Sequence, residues 1–220
     1  MRVNSKHSRS STKHSYYPIF LDISDNPCLV VGGGGVAERK VKMLLKFNAK
    51  IKLVSPKVTK TLSKLAENGQ IEIIKREYMD KDIDGMRLVF AATNIEEINS
   101  KIRKEAKKRR IPVNVVDNPD LCDFIVPSIV KKGPIIIAIS TSGILPLLSK
   151  KLKEEINNYI TADYIKYGFI IGKFRKLLVE KVKDKQKRIA IMKEINKMGI
   201  KELTEMGLKK IKNMFLTTRE

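Results

Sequence analysis

Histidine, cysteine and tryptophan are scarce in this chain of 220 residues. Its only histidines, His7 and His14, lie in a polar N-terminal stretch, and tryptophan is absent. We therefore expect neither a histidine-containing catalytic triad nor a histidine-bound zinc ion inside the fold. The only cysteines, Cys28 and Cys122, are too few for a zinc ribbon or a disulfide framework. The chemistry must come from carboxylates, hydroxyls, backbone groups or a bound cofactor.

Long apolar runs are also missing. None approaches the roughly 18 residues of a membrane-spanning helix, and the first fifteen residues carry four Lys and Arg but no apolar stretch. We therefore expect neither a secretory signal nor a membrane partner, and a cytoplasmic location. With 42% hydrophobic and 31% charged residues, the composition is typical of a globular protein.

Negative charge is in short supply: 24 Asp and Glu stand against 45 Lys and Arg, which gives a net charge of +21. Three interpretations compete, namely nucleic-acid binding, steering of a small polyanionic substrate, and a lysine-rich surface without a dedicated partner. Only 6% of the residues are aromatic and no DNA-reading motif is recognisable, which disfavours nucleic acid as a partner.

Apolar strand patterns alternate with amphipathic helix patterns through residue 117, which predicts a parallel, doubly wound, Rossmann-like sheet. We predict strands at 27–31, 51–54, 71–74, 88–92 and 112–116, with helices at 36–46, around 62–65 and at 95–109.

The pattern changes after Asp117. Two apolar stretches around Gly133 and Pro134 predict a β-hairpin, and the chain from Leu145 onward is helical in character. A lone apolar hairpin is marginal in water, so we expect it to pair with a second copy of the chain as a homodimer. The chain is thus predicted to comprise a disordered basic arm at 1–15, a sheet domain at 16–117, a dimerisation segment at 118–150 and a helical domain at 151–220.

A run of four glycines lies between the first strand and the first helix. Residues 32–37 fit the pattern G-x-G-x-x-A in the strand-to-helix context that a dinucleotide site requires. Gly32 would permit the tight turn, Gly34 would let a pyrophosphate approach the backbone, and Ala37 would allow close packing of helix on sheet. The helix N-terminus would supply N–H groups to the phosphates. A glycine loop used only for tight packing is the alternative.

The ribose contact is less regular. No carboxylate follows the second strand, where Ser55, Pro56 and Lys57 stand instead. Ser55 could bond a ribose hydroxyl and Lys57 could accept a 2′-phosphate, so the residues leave NAD and NADP both open. Thr93 closes the fourth strand and is either a cofactor contact or a cap for the following helix.

Seven short segments between residues 16 and 160 are informative together. They are YPIFL at 17–21, VVGGG at 30–34, VAERK at 36–40, FAAT at 90–93, NVVD at 114–117, FIVPSI at 124–129 and ISTSG at 139–143. In order and spacing, these segments resemble the precorrin-2 dehydrogenase or siroheme synthase family.

The resemblance implies NAD-dependent oxidation of precorrin-2, a tetrapyrrole with eight carboxylates, to sirohydrochlorin. It also raises insertion of ferrous iron as a second reaction, with iron as a substrate, and implies that the hairpin forms a dimer. A non-enzymatic dinucleotide-binding regulator, or a basic protein associated with nucleic acid, is the competing function.

The same resemblance assigns residues to roles. Asp117 is implied as the catalytic aspartate, and as a metal ligand if iron is inserted. Asn114, Ser128 and Thr141 are implied in the substrate pocket. Cofactor contacts are implied at Gly35, Val36, Pro56 and Lys57, which join Gly32, Gly34, Ser55 and Thr93. With no histidine in the fold, a carboxylate at the end of a strand is also the sensible general base. Turn initiation before Asn118-Pro119 is the alternative role for Asp117.

Overall fold

The structure, a computed structural model, describes residues 15–216. The chain divides into two compact units with the boundary between Val126 and Pro127. The predicted basic arm, apart from Ser15, lies outside the described residues. The predicted division at residue 150 stays a prediction.

The described part of the first unit contains five parallel strands and three α-helices, which confirms the predicted alternation. Its elements are β1 (Pro27–Val31), α1 (Gly35–Leu45), β2 (Lys50–Val54), α2 (Lys60–Glu67), β3 (Glu72–Ile74), β4 (Leu88–Ala91), α3 (Glu96–Arg109) and β5 (Val113–Val115). Short 3₁₀ turns at Asp80–Ile83 and Pro119–Leu121 were not predicted. Turns of three or four residues lack the apolar periodicity that reveals longer helices.

The strand order in the sheet is β3-β2-β1-β4-β5. This doubly wound order has its switch point beside β1, where ligands bind at the carboxyl ends of the strands. Because all the strands are parallel, the residues that follow them share one edge. Gly32 follows β1, Ser55 lies just beyond β2, Thr93 lies beyond β4, and Asp117 lies beyond β5.

Helices cover both faces of this sheet, so β1 is an unbroken apolar run in which Cys28 to Val31 are all buried. On one face, Ala37, Val41 and Leu44 form the buried stripe of α1 and pack against the sheet. Such burial stabilises the fold by about 1.5–3 kcal/mol for a large side chain. Helix α3 covers the other face.

The second unit starts with the predicted antiparallel hairpin. Its elements are β6 (Ser128–Lys132), β7 (Ile135–Ile139), α4 (Pro146–Tyr159), α5 (Ala162–Lys181), α6 (Lys185–Lys197) and α7 (Ile200–Leu216), the last interrupted at Gly207. The hairpin turn lies against α5, since a Cβ on Gly133 would come within 2.7 Å of Ile165 Cγ2. The helices have their own core, built from Phe174, Leu178, Ile195, Leu203 and Ile211.

A buried ion pair stabilises the first unit. Both Asp82 carboxylate oxygens accept hydrogen bonds from the Arg76 guanidinium, at 2.6 and 2.7 Å, and the Met79 N–H donates a third at 2.8 Å. The hydrogen bonds from Arg76, ahead of the one from Met79, lower the pKa of Asp82. A lowered pKa in the folded state stabilises the fold above the ordinary carboxyl pKa, and this stability is lost as the pH falls through the folded value.

We therefore expect Asp82→Asn to lower the free energy of unfolding by about 2 kcal/mol at pH 7, and the gap to wild type to narrow below about pH 4. Urea unfolding at several pH values measures both effects. Asp84→Asn is the control, because its bond to Arg109 involves a carboxylate that is 60% exposed. A gap equally large at pH 3 and pH 7 would contradict the assignment.

Candidate functional site

The first two glycines after β1 are required by the backbone packing itself. A Cβ on Gly32, whose φ is +118°, would lie 2.2 Å from the Ala92 carbonyl oxygen. A Cβ on Gly33 would lie 1.9 Å from the carbonyl oxygen of Lys57. The loops after β1, β2 and β4 therefore meet at these positions without space for a side chain.

Gly34 and Gly35, in contrast, are not crowded by neighbouring loops. A Cβ at either residue would have no atom of another part of residues 15–216 within 4 Å, so packing among the described residues does not explain the absence of a side chain. Gly34 is also the N-cap of α1 and makes no side-chain capping hydrogen bond. This space and the uncapped N–H groups that begin the helix suit the phosphates of a dinucleotide. The residues present therefore fit the predicted cofactor, with Val36 in the first helical turn.

Hydrogen bonds fasten the start of α2 to this glycine loop. The Thr59 N–H donates to the Gly33 carbonyl oxygen at 3.0 Å, and the Thr59 hydroxyl donates to Glu38 Oε2 at 2.7 Å. The Lys42 ammonium, followed by Thr59, lowers the pKa of Glu38 through hydrogen bonds. In the sequence, Glu38 stood out only as part of the VAERK segment, and its hydrogen bond with Thr59 was not predicted.

The residues after β2 lie over the glycine loop. Ser55 is buried and its hydroxyl donates to the Lys57 carbonyl oxygen at 2.7 Å, while Pro56 and Lys57 are exposed. The Ser55 proton is thus engaged in the turn, and only its oxygen lone pairs remain for a ribose hydroxyl. With no carboxylate at the end of β2, nothing here selects between NAD and NADP.

Thr93 is engaged in local structure at the start of α3. Its hydroxyl oxygen accepts from the Ile95 N–H at 3.1 Å and lies 2.8 Å from Asn99 Oδ1, to which it can donate. Asn99 Nδ2 in turn donates to the Thr93 carbonyl oxygen. These bonds fix the loop before α3, but Thr93 does not cap the helix, because its N-cap residue is Ile95 and no side chain makes a capping hydrogen bond there. A cofactor contact at Thr93 stays a prediction.

Asp117 stands at the tip of a tight turn after β5. Its φ is +61°, a left-handed conformation that Asp and Asn tolerate better than most residues. Cys122 Sγ bridges the two sides of this turn. It accepts a hydrogen bond from the Val115 N–H at 3.1 Å and lies 3.3 Å from the Asn118 carbonyl oxygen. Asp117 itself is exposed, and its carboxylate has no hydrogen bond or ion pair within residues 15–216. The turn therefore presents a carboxylate without a hydrogen bond or ion pair from the described chain at the edge where the glycine loop lies.

Asn114 is buried, and its side-chain amide forms a hydrogen bond within the first unit. Nδ2 donates to the Phe124 carbonyl oxygen at 3.0 Å. Asn114 pairs with Phe90 across β5 and β4, so both side chains lie on the face that α1 covers. Its predicted substrate contact stays a prediction.

The other predicted substrate residues belong to the second unit. Ser128 is the first residue of β6 and pairs with Ile139. Thr141 follows β7, and its hydroxyl oxygen accepts from the Leu145 N–H at 3.2 Å, just before α4 begins. Sheet topology therefore brings Gly32, Gly34, Gly35, Ser55, Thr93 and Asp117 to one edge of the first unit, whereas Ser128 and Thr141 lie in the second.

One charged residue near this edge was missed by sequence reasoning. Lys40 of α1 is half-buried, and its Nζ atom lies 5.6 Å from the centroid of the Phe90 ring. Burial lowers the pKa of Lys40, with Cys122 and Asp117 acting in the opposite direction. The available signal was its spacing, since Lys40 lies three residues after Ala37 and four before Leu44, beside the apolar stripe of α1.

Other features of the described residues assign no further site. Within residues 15–216, no three His, Cys, Asp or Glu side chains are grouped so that they could hold a metal ion, and no helix is both long and apolar enough to span a bilayer. A cavity of about 470 Å³ lies at the opposite edge of the sheet, next to Pro27, Arg87 and Ile111. That edge carries the amino ends of the strands, away from the glycine loop.

Comparison with known proteins agrees with this geometry. Residues 19–128 match the model of a family described as putative NAD(P)-binding. The chain is 41% identical over 175 residues to the siroheme synthase of Vesicomyosocius okutanii subsp. Calyptogena okutanii, which covers 80% of this chain and 37% of the relative. It is 42% identical over 171 residues to the siroheme synthase of Methylobacillus flagellatus, covering 78% and 37%. The chain thus spans little more than a third of these curated relatives.

A solved structure described as SirC, precorrin-2 dehydrogenase, superposes with a TM-score of 0.72 at 26% identity, covering 90% of this chain and 96% of that one. These similarities confirm the resemblance and the Rossmann-like fold expected from the sequence. Since the family model spans half of the chain and includes the glycine loop and Asp117, the chain belongs to the putative NAD(P)-binding family.

Proposed function

We propose that this protein is an NAD-dependent oxidoreductase that oxidises precorrin-2 to sirohydrochlorin in siroheme biosynthesis. The observation that carries the proposal is the Asp117 carboxylate, exposed and without a hydrogen-bond partner in the described chain, at the same sheet edge as the open glycine loop. Similarity to siroheme synthases and to a precorrin-2 dehydrogenase supports this substrate.

The glycine loop would hold the cofactor. Gly34 and Gly35 leave space for the pyrophosphate, the first N–H groups of α1 would bind its oxygens, and Ser55, Pro56 and Lys57 would border the ribose. When bound, NAD⁺ supplies the oxidant that accepts a hydride. The aspartate or glutamate that usually selects NAD is missing after β2, so NADP remains a cofactor to be tested beside it.

Asp117 would act as the general base. Oxidation of precorrin-2 removes a hydride and a proton, and the Asp117 carboxylate would accept the proton. The Asp117 carboxylate accepts no hydrogen bond from the described chain, so the base does not have to break one before it reacts. A positioned general base contributes about 10²- to 10⁴-fold to a reaction rate.

The net charge of +21 suits the same substrate. A tetrapyrrole with eight carboxylates is drawn towards a basic surface, which raises the rate of encounter and makes that rate sensitive to salt. The nucleic-acid alternative has the charge alone in its favour. The glycine loop fits a dinucleotide-binding regulator as well, but the exposed carboxylate of Asp117 favours the enzyme.

Assembly and location are part of the proposal. Alternate side chains of β7 are exposed, and Ile136 shows 37% of its surface. A second copy of the chain covering the hairpin would bury them, and we propose a cytoplasmic homodimer. Asn114, Ser128 and Thr141 are proposed to border the substrate.

An anaerobic assay with precorrin-2 tests the function, because without oxygen only the nicotinamide can act as oxidant. We expect sirohydrochlorin to form with NAD, with NADP compared in parallel. Ferrous iron in a second arm tests whether siroheme follows, as the names of the relatives suggest, with Asp117 as the proposed metal ligand. No oxidation with either cofactor, together with retention of DNA at physiological salt, would favour the regulator instead.

A further inference from the structure

The half-buried ammonium of Lys40 lacks a carboxylate partner. Within residues 15–216 no acidic side chain forms an ion pair with it, although Asp117 acts on it at longer range. Its Nζ atom lies 5.6 Å from the centroid of the Phe90 ring. The buried carboxylates of the same unit, those of Asp82 and Glu105, are neutralised by direct contact. Asp82 binds Arg76, and Glu105 binds both Lys108 and Arg109.

The direction of this side chain follows from its helix. Long side chains on a helix lean towards its N-terminus, and the N-terminus of α1 lies at the carboxyl edge of the sheet. The Lys40 ammonium lies over Phe90, which precedes Thr93 by three residues and pairs with Asn114, three residues before Asp117. Lys40 therefore extends towards the edge where Asp117 stands.

A purely structural role explains this lysine poorly. Removing an unpaired charge from water lowers the stability of the fold. The cation–π interaction with an aromatic ring offsets only part of this desolvation free energy. The lowered pKa of Lys40, caused first by burial, reflects the same penalty. A methionine of similar length would pack against Phe90 without it. A half-buried ammonium without an ion-pair partner, close to the carboxyl edge of the sheet, is therefore suited to binding an anion.

We propose that Lys40 binds a carboxylate of the substrate and so anchors the tetrapyrrole beside Asp117. This assignment rests on the proposed function. The cofactor pyrophosphate, which would bind at Gly34 and Gly35 more than one helical turn before Lys40, is the other available anion, and NADH affinity distinguishes the two.

The test compares Lys40→Met and Lys40→Arg with Lys64→Met, an exposed lysine on α2 that changes the net charge equally. For Lys40→Met we expect the KM for precorrin-2 to rise at least tenfold, with kcat within about twofold of wild type. We also expect unchanged NADH affinity and no loss of stability in urea. Lys40→Arg should restore most of the KM, and Lys64→Met should behave as wild type.

An unchanged KM in Lys40→Met would overturn the proposal, as would a loss of NADH affinity, which would assign Lys40 to the cofactor phosphates. Binding of sirohydrochlorin, followed by its fluorescence without turnover, separates this proposal from the proposed function. Weaker binding by Lys40→Met than by Lys64→Met supports the anchor even if wild type does not oxidise precorrin-2. Equal binding by the two variants, or no binding by wild type, refutes it.

Discussion

Replacing Asp117 with asparagine is expected to lower kcat for precorrin-2 oxidation at least 100-fold and to leave the fold and NADH affinity intact. Asparagine keeps the shape of the side chain and tolerates the φ of +61°, so the change removes the proton acceptor without straining the turn. Alanine would combine loss of the base with backbone strain, which makes asparagine the cleaner variant. The rate of anaerobic NAD reduction at saturating precorrin-2 is the measurement.

Asp25→Asn provides a matched control. Asp25 is also exposed and also left-handed, with a φ of +58°, but it precedes β1 at the opposite edge of the sheet. We expect its kcat and urea midpoint to equal those of wild type. If Asp117→Asn keeps more than a tenth of the wild-type kcat, Asp117 is not the general base, and turn formation becomes its role.

The second large effect is expected at Gly34. Gly34→Asp should weaken NADH binding at least 100-fold, equivalent to about 2.7 kcal/mol, because a carboxylate would occupy the open space and repel the phosphates. The fold should survive, since a Cβ at Gly34 would meet no other part of the described chain within 4 Å. Fluorescence titration with NADH measures the affinity, and urea unfolding checks the stability.

Two alanine variants separate cofactor contact from packing. Gly34→Ala should weaken NADH binding at wild-type stability, whereas Gly32→Ala should destabilise the fold by about 2–4 kcal/mol. The latter places a Cβ 2.2 Å from the Ala92 carbonyl oxygen in a positive-φ conformation. Wild-type NADH affinity in Gly34→Asp would show that the glycine run serves packing alone.

Most of the first unit was predictable because its signals are local. A parallel strand buried on both faces is an unbroken apolar run, as in β1, and the stripe of Ala37, Val41 and Leu44 has helical spacing. The common edge of Gly32 and Asp117 also follows from topology, because parallel strands end together.

The detailed roles of the candidate-site residues depend on long-range contacts, which the local sequence pattern does not predict. Which glycines serve packing and which leave space depends on Ala92 and Lys57, residues distant in sequence from the loop. Ser55 and Thr93 are polar residues at predicted positions, yet their hydroxyls are engaged by neighbouring backbone and by Asn99. The sequence does not distinguish Lys40 from the many exposed lysines, because only the structure shows its position over Phe90.

The central claim is that the glycine loop and Asp117 serve one oxidation, in which a dinucleotide takes the hydride and the carboxylate takes the proton. The most direct measurement is the anaerobic stoichiometry, with reduced nicotinamide and sirohydrochlorin quantified in the same sample. The account predicts one reduced nicotinamide for each sirohydrochlorin formed. Sirohydrochlorin that accumulates without reduced nicotinamide, or no oxidation of precorrin-2 with either NAD or NADP, would contradict it.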